Sequence, residues 1–310
     1  LLIWVTVLVT VLFLSGNAWA SEKEISLQEA EFIGELIFQN ECAGKEANIL
    51  YWNDGENFPS LGIGHFIWYP AHYNGPFDES FPKLLVFLQG RGIALPDGFQ
   101  MLPGMHAPWP TKGDFMKALE AGELESLRAF LIETKSEQAV FLINRFSQSI
   151  SKMLQTVPQE SRQSIQQKLS LMVKAPGGLY PLVDYVNFNG EGILESERYR
   201  GQGWGLLQVL EETDILALEK DAVGEFVRAT EVILDRRVGN SPPERNEKRW
   251  SIGWKIRMQT YLIAQPHGEP WGGNSFREAI LSSIVGAPPI TGETVLPPIA
   301  DMVSPPAVTR

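Results

Sequence analysis

The sequence predicts an α+β protein that is predominantly α, and three observations carry that prediction. Apolar residues recur at helical spacing over most of the 310 residues. One early segment, about 50–68, instead interleaves aromatic and β-branched residues with turn signals. A content of 44% hydrophobic and 10% aromatic residues is enough for a sizeable core, as one large domain or two fused ones. The predicted globular part spans 21–286.

The chain opens with "LLIWVTVLVTVLFLSGNAWA", uncharged throughout, apolar from Leu1 to Leu14 and ending at the small-x-small pattern Ala18-Trp19-Ala20. This pattern is that of a secretory signal peptide cut after Ala20, so an exported, periplasmic or secreted protein is expected. The apolar run is shorter than the roughly 18 residues of a membrane span, and no integral span is expected once the signal is removed. Ser26 and Glu29 then form a capping box. Leu27, Ala30, Ile33, Leu36 and Ile37 follow at helical spacing, predicting a helix from about Leu27 to Glu41 with Gly44 as its stop. From Leu50 to Trp68 the sequence predicts a small irregular hairpin sheet broken by "NDGEN" and "FPS". Glycine- and proline-rich chain fills Pro70 to Pro110.

Helical signals return at Thr111. Ala139, Leu142, Ile143, Phe146, Ile150 and Met153 form one apolar stripe, expected in the core. Pro158 marks a helix start and "PGG" at Pro176 to Gly178 a helix end. Further helices are predicted at 204–219, 221–237, 243–264 and 275–284. In the last but one, Trp250 and Trp254 stand four apart and are expected to be core, while its arginines are expected to pair with Glu244 and Glu247 or with other surface acids. From Ala287 onward three Pro-Pro pairs and no helical period predict a disordered tail over 287–310.

The formal charge of -11 falls on residues 21–310, because the first twenty carry none. Such a chain is repelled by nucleic acid and by anionic lipid. Cys42, the only cysteine, excludes an intrachain disulfide. His65, His72, His106 and His267 form no helical ligand pair, so no metal is predicted. With no P-loop, dinucleotide fingerprint or G-x-S-x-G elbow, no cofactor is predicted either. A thiol nucleophile at Cys42 with His65 as its base is set aside in favour of a buried structural cysteine.

Carboxylates carry the functional signal. Glu41 falls at the C-terminal end of the first predicted helix, among Phe38, Cys42 and other apolar neighbours. The negative helix end and burial both raise a carboxyl pKa, which suits a general acid. A short loop downstream, "WNDGENFPSLGIGH" brings Asp54, Glu56, Ser60 and His65. Helix, Glu, then a hairpin ending in Ser60-Leu61-Gly62-Ile63-Gly64-His65 resembles the phage-type lysozymes, whose pattern is Glu, hairpin, Asp, five residues, Thr, within T-x-G-x-G-H. Asp54 stands six positions before Ser60, as the family Asp stands before its Thr. Here Ser replaces Thr and the Glu41–Asp54 interval is longer than the family's, which makes Glu56 an equal candidate for the second carboxylate. The resemblance implies a lysozyme-like fold and two-carboxylate glycoside hydrolysis: Glu41 the acid, Asp54 or Glu56 the base, Ser60 orienting the attacking water, His65 at the substrate.

A second stretch, "NFNGEG" followed by "RYRGQGWGLLQVLEE", resembles the G-x-G-L-[LM]-Q segment of goose-type lysozymes and lytic transglycosylases and a chitinase segment. By that resemblance Tyr199, Gln202 and Gln208 are candidate sugar contacts, and Glu191 is a rival acid to Glu41. The implied partner is a polysaccharide, peptidoglycan or a related β-1,4-linked amino-sugar polymer. Hydrolysis, lytic transglycosylation, chitinase or chitosanase activity and a non-catalytic glycan-binding protein all remain open at this point.

Overall fold

The computed structural model describes residues 16–75, 77–99, 105–263 and 275–285. Among them are twelve α-helices and two small antiparallel sheets, so the protein is α+β and predominantly α. The apolar run Leu1–Leu14 and the tail 287–310 lie outside the described residues.

α1 runs from Gly16 to Cys42, beginning earlier than the capping box indicates. Ser26 is inside the helix, because a capping sequence starts a helix only where the chain before it is not already helical. Its end is as expected: Ala43 and Gly44 turn left-handed, at φ 51 and 64°. The three-stranded sheet follows, β1 (Leu50–Tyr51), β2 (Ser60–Leu61) and β3 (Phe66–Ile67), antiparallel, with Ser60 opposite both Tyr51 and Ile67.

Within the stretch 70–110, expected to be loop, lies α2 (Phe81–Gly90). Pro82 sits in its first turn, where no donor is lost, and Phe81, Leu84, Leu85 and Leu88 are its buried face. The prolines and glycines around it masked a genuine helical period. Ser80, just before it, accepts the Ile67 backbone N–H at 3.0 Å and fastens the helix to β3.

α3 (Lys112–Glu120) starts at Thr111, whose hydroxyl oxygen accepts the Asp114 backbone N–H. α4 (Glu125–Glu133) and α5 (Lys135–Thr156) follow, and α5 is the central strut, about 33 Å long for its 22 residues. All six residues of its expected stripe are buried. α1 lies against it at Gly34, where an added Cβ would come within 3.2 Å of the Ala139 Cβ. α6 (Gln159–Lys174) begins after Pro158 and ends before the Pro-Gly-Gly turn.

α7 (Leu179–Asn189) went unread in the sequence, because it is buried on nearly every side and so has no amphipathic period. It carries Asp184 and Asn187. Next comes a hairpin, β4 (Arg198–Tyr199) and β5 (Gln202–Gly203), whose turn residues Arg200 and Gly201 both have positive φ, 52 and 76°. A two-residue turn of this kind matches the strand twist.

The helix expected at 204–219 is two, α8 (Leu206–Glu212) and α9 (Ile215–Lys220). Asp214 divides them by capping the second through the Ala217 N–H at 2.9 Å. α10 (Ala222–Asn240) is capped in the same way by Asp221. α11 (Lys248–Ile263) packs along α10, and α12 (Ser275–Val285) docks on α5 and α6. Arg277 ties α12 to buried Glu29 of α1 at 2.7 Å. Trp254 is half-buried against Phe188, but Trp250, expected in the core, is 39% exposed. The buried residues of α11, Met258 and Tyr261, lie in its C-terminal half, whereas Trp250 stands in its first turn. No described helix is long and apolar enough to cross a membrane.

Candidate functional site

The last turn of α1 and the three-stranded sheet converge on one cavity of about 300 Å³. Glu41, Asn53, Glu56, Ser60, His65 and Asn187 supply its polar lining, and Tyr51, Phe58, Phe77 and Phe188 its aromatic walls. Four of the residues expected at a catalytic site from sequence are therefore brought together: Glu41, Glu56, Ser60 and His65.

The "SLGIGH" turn is held from beneath by Gln138, a fully buried side chain of α5. Its amide oxygen accepts the Ile63 N–H at 2.9 Å, while its amide nitrogen donates to the Leu131 carbonyl at 2.7 Å and to the Thr134 hydroxyl at 3.0 Å. Gly62 has φ 76°, and a Cβ there would collide with the Gln138 amide. This glycine is required by geometry. At the hairpin tip, the Trp52 indole N–H donates to the Glu56 carbonyl at 2.8 Å and so fixes where Glu56 enters the cavity.

Glu41 is clamped. Its Oε1 accepts from Arg257 Nη2 at 2.6 Å and from Asn187 Nδ2 at 3.3 Å, and its Oε2 lies 3.5 Å from His65 Nδ1. Arg257 comes from α11, 216 positions away in sequence. The same guanidinium makes two bonds to fully buried Asp184, at 2.8 and 2.9 Å, and Tyr261 donates to Asp184 at 2.7 Å. One buried cation thus serves two carboxylates on α1 and α7. Arg257 also lies 4.3 Å from the centre of the Phe188 ring.

The clamp reverses the protonation expected for Glu41. Burial does push its carboxyl pKa upward, as the sequence indicates. The charge of Arg257, that of His65 and the hydrogen bonds from Arg257 and Asn187 outweigh burial and hold Glu41 below the usual carboxylate range. Glu56 is half-buried, and burial raises its pKa despite a hydrogen bond from Asn53 and the nearby His65. The pair is thus split in the sense opposite to that inferred from the sequence.

Asp54, the alternative to Glu56, does not line the cavity. Its side chain is 98% exposed and pairs with Lys112 at 2.5 Å, a bond that lowers its pKa. The turn of the hairpin sends residue 54 outward and residue 56 inward. Cys42 stands behind the site, its Sγ 3.9 Å from His65 Nε2 and fully buried. Burial, with the adjacent Glu41 charge, pushes the thiol up to about 12, which leaves no thiolate for nucleophilic chemistry.

The second sequence segment lies elsewhere. Gln202 and Gln208 line a cavity of about 350 Å³ together with Arg198, Leu207, Glu211 and Arg236, and none of its lining residues is shared with the first. Gln208 also serves the backbone, accepting from the Gly205 N–H at 3.1 Å and donating to the Gly192 carbonyl at 3.2 Å. Tyr199 packs on Trp204 and donates to buried Glu247 at 2.8 Å. Arg237, between the rings of Trp204 and Trp254 at 4.4 and 4.5 Å, also bonds to Glu247. Glu191 lines neither cavity, and its carbonyl accepts from Leu207.

Sequence reasoning missed Asp184, Asn187 and Gln138, and it expected Arg257 to pair with Glu244, Glu247 or other surface acids rather than with two carboxylates of the interior. Arg245 does pair with Glu247, as expected, at 3.2 Å. Nothing local marks Arg257 as different; a lone Asp in the all-apolar run "LYPLVDYV" was the one available signal that a distant cation was needed. Among the described residues no group of three or more His, Cys, Asp or Glu side chains could hold a metal ion. No family model matches the chain, and neither the curated proteins nor the solved structures contain a match to it.

Proposed function

We propose that this chain is an exported glycoside hydrolase, lysozyme-like in its chemistry, that cleaves a β-1,4-linked amino-sugar polymer, with peptidoglycan glycan as the leading substrate. The observation that supports this reading is one cavity holding two carboxyl groups, Glu41 and Glu56, in unlike environments, with Ser60 and His65 beside them and aromatic walls around them. Glycoside hydrolysis needs one protonated and one charged carboxyl across the scissile bond. Aromatic rings offer apolar faces on which sugar C–H groups pack. Export rests on the N-terminal sequence pattern alone.

The test is digestion of purified peptidoglycan, with chitin and chitosan oligomers in parallel, read by mass spectrometry. Hydrolysis leaves reducing ends and lytic transglycosylation leaves anhydro ends, which differ by the mass of water. No product from any of these polymers would refute the hydrolase reading.

A second reading, a non-catalytic glycan-binding protein, is favoured by two observations: Asp54 faces away from the cavity, and Arg257 ties Glu41 into the core. Saccharide binding without product over long incubation would select it.

A further inference from the structure

We propose that the two carboxyl groups of the cavity divide the work in the order opposite to the one the lysozyme resemblance implies: Glu56 is the proton donor, and Glu41 is the carboxylate that stays charged. The proposal rests on the glycosidase reading and goes beyond it by assigning the acid.

The geometry around Glu41 carries the argument. Oε1 takes two donors, Arg257 at 2.6 Å and Asn187 at 3.3 Å, and Oε2 lies 3.5 Å from His65 Nδ1. A proton on Oε1 would point at groups that themselves carry hydrogen. Arg257 cannot give up its proton, and it is fixed by two further bonds to buried Asp184, so it cannot swing away to release Glu41. Glu56 has the contrary setting. It reaches the cavity from the hairpin tip, pinned through its backbone by Trp52, and Asn53 is the side chain that hydrogen-bonds its carboxyl. Burial favours its neutral form, which agrees with the geometry.

The step then balances as follows. The Glu56 O–H proton passes to the glycosidic oxygen as the C1–O bond breaks, and the bonding electron pair leaves with that oxygen. The charged Glu41 stabilises the positive charge that develops on the sugar, while the oxygen of a water bonds to C1 and that water's proton passes to the ionised Glu56 or, in its absence, to bulk water. The products are two sugar ends and the elements of one water added. Glu56 ends protonated and Glu41 charged, as both began.

Two variants in two assays test this. Glu56→Gln should lose about 10²–10⁴ in kcat on peptidoglycan. It should keep most of its activity on a 2,4-dinitrophenyl β-glycoside of an N-acetylglucosamine oligomer, whose leaving group needs no proton. Glu41→Gln should fail on both substrates and regain turnover in azide, an anion that supplies at C1 the negative charge the variant lacks. Because Glu41→Gln also removes a buried ion pair, its fold is checked by circular dichroism. Glu56, with no ion pair to lose among the described residues, carries the test even if that variant is unstable. Rescue of Glu41→Gln by the aryl glycoside, or no rescue of Glu56→Gln, would overturn the assignment while leaving the two-carboxylate site intact. A wild type inactive on both substrates, or full activity in both variants, would instead overturn the glycosidase reading itself.

Discussion

Arg257→Met removes the one cation shared by Glu41 and Asp184 while keeping an apolar stem of similar length against Phe188. Asp184 is 0% exposed, and of the three hydrogen bonds its carboxylate accepts it would lose the two from Arg257, at 2.8 and 2.9 Å, and keep that from Tyr261. Glu41 would lose its shortest bond, at 2.6 Å. Breaking a buried pair from one side costs about 3–5 kcal/mol, since the stranded charge keeps its desolvation penalty. At about 2–4 °C per kcal/mol for a domain of this size, Tm should fall by about 6–20 °C at neutral pH. The pH dependence adds a second check. The Glu41 carboxyl is held low in the folded wild type, so its contribution is present above the ordinary glutamate pKa and is lost as pH falls through the lower folded value. In the variant that contribution is absent, and the Glu41 carboxyl, no longer held low, is protonated with less loss. The gap between wild type and variant should therefore narrow below about pH 4.3. Thermal and urea unfolding at pH 7 and in the acid range measure both quantities. A loss under about 1 kcal/mol, the range of an exposed pair, or a gap independent of pH would refute the argument that Arg257 is the buried clamp of the site.

Further outcomes follow from the same geometry. Gln138→Leu leaves the buried Ile63 N–H without an acceptor and should cost about 1–3 kcal/mol, with faster hydrogen exchange at Ile63 as its local signature. Unchanged exchange there would mean that the turn is held by something else. Asp54→Asn, on an exposed side chain turned away from the cavity, should cost less than about tenfold in turnover, and a larger loss would return Asp54 to the site. The Cys42 thiol, buried and pushed up to about 12, should resist a disulfide reagent at pH 8 in the folded protein and react fully in denaturant. Rapid labelling of the native state would show that the rear of the cavity opens.

Much of the architecture was legible because helices advertise themselves by spacing. The α5 stripe from Ala139 to Met153 and the end of α1 near Gly44 needed only local pattern, and both are where that pattern puts them. α2 and α7 were not legible, for opposite reasons. In α2 the flanking prolines and glycines hid the period, whereas α7 has no polar face to mark one. The sheet was expected from "NDGEN" and "FPS" as turns, yet which acidic residue faces inward depends on how the hairpin tip folds back on Trp52.

The sequence by itself determined the mainly helical α+β class, the placing of Glu41 at a helix end, and a hairpin carrying Glu56, Ser60 and His65 just beyond it. All of these are set by neighbours within a few turns of chain. Only the tertiary structure decided which side chains share a cavity and what charge each holds. Asp54 and Glu56 are two residues apart and differ in every respect that matters to chemistry, because one meets Lys112 in solvent and the other is half-buried near His65. Glu41 is low rather than high because a guanidinium from the far end of the chain reaches it. A carboxyl's protonation depends on the charges within a few ångströms, and sequence distance carries no information about them.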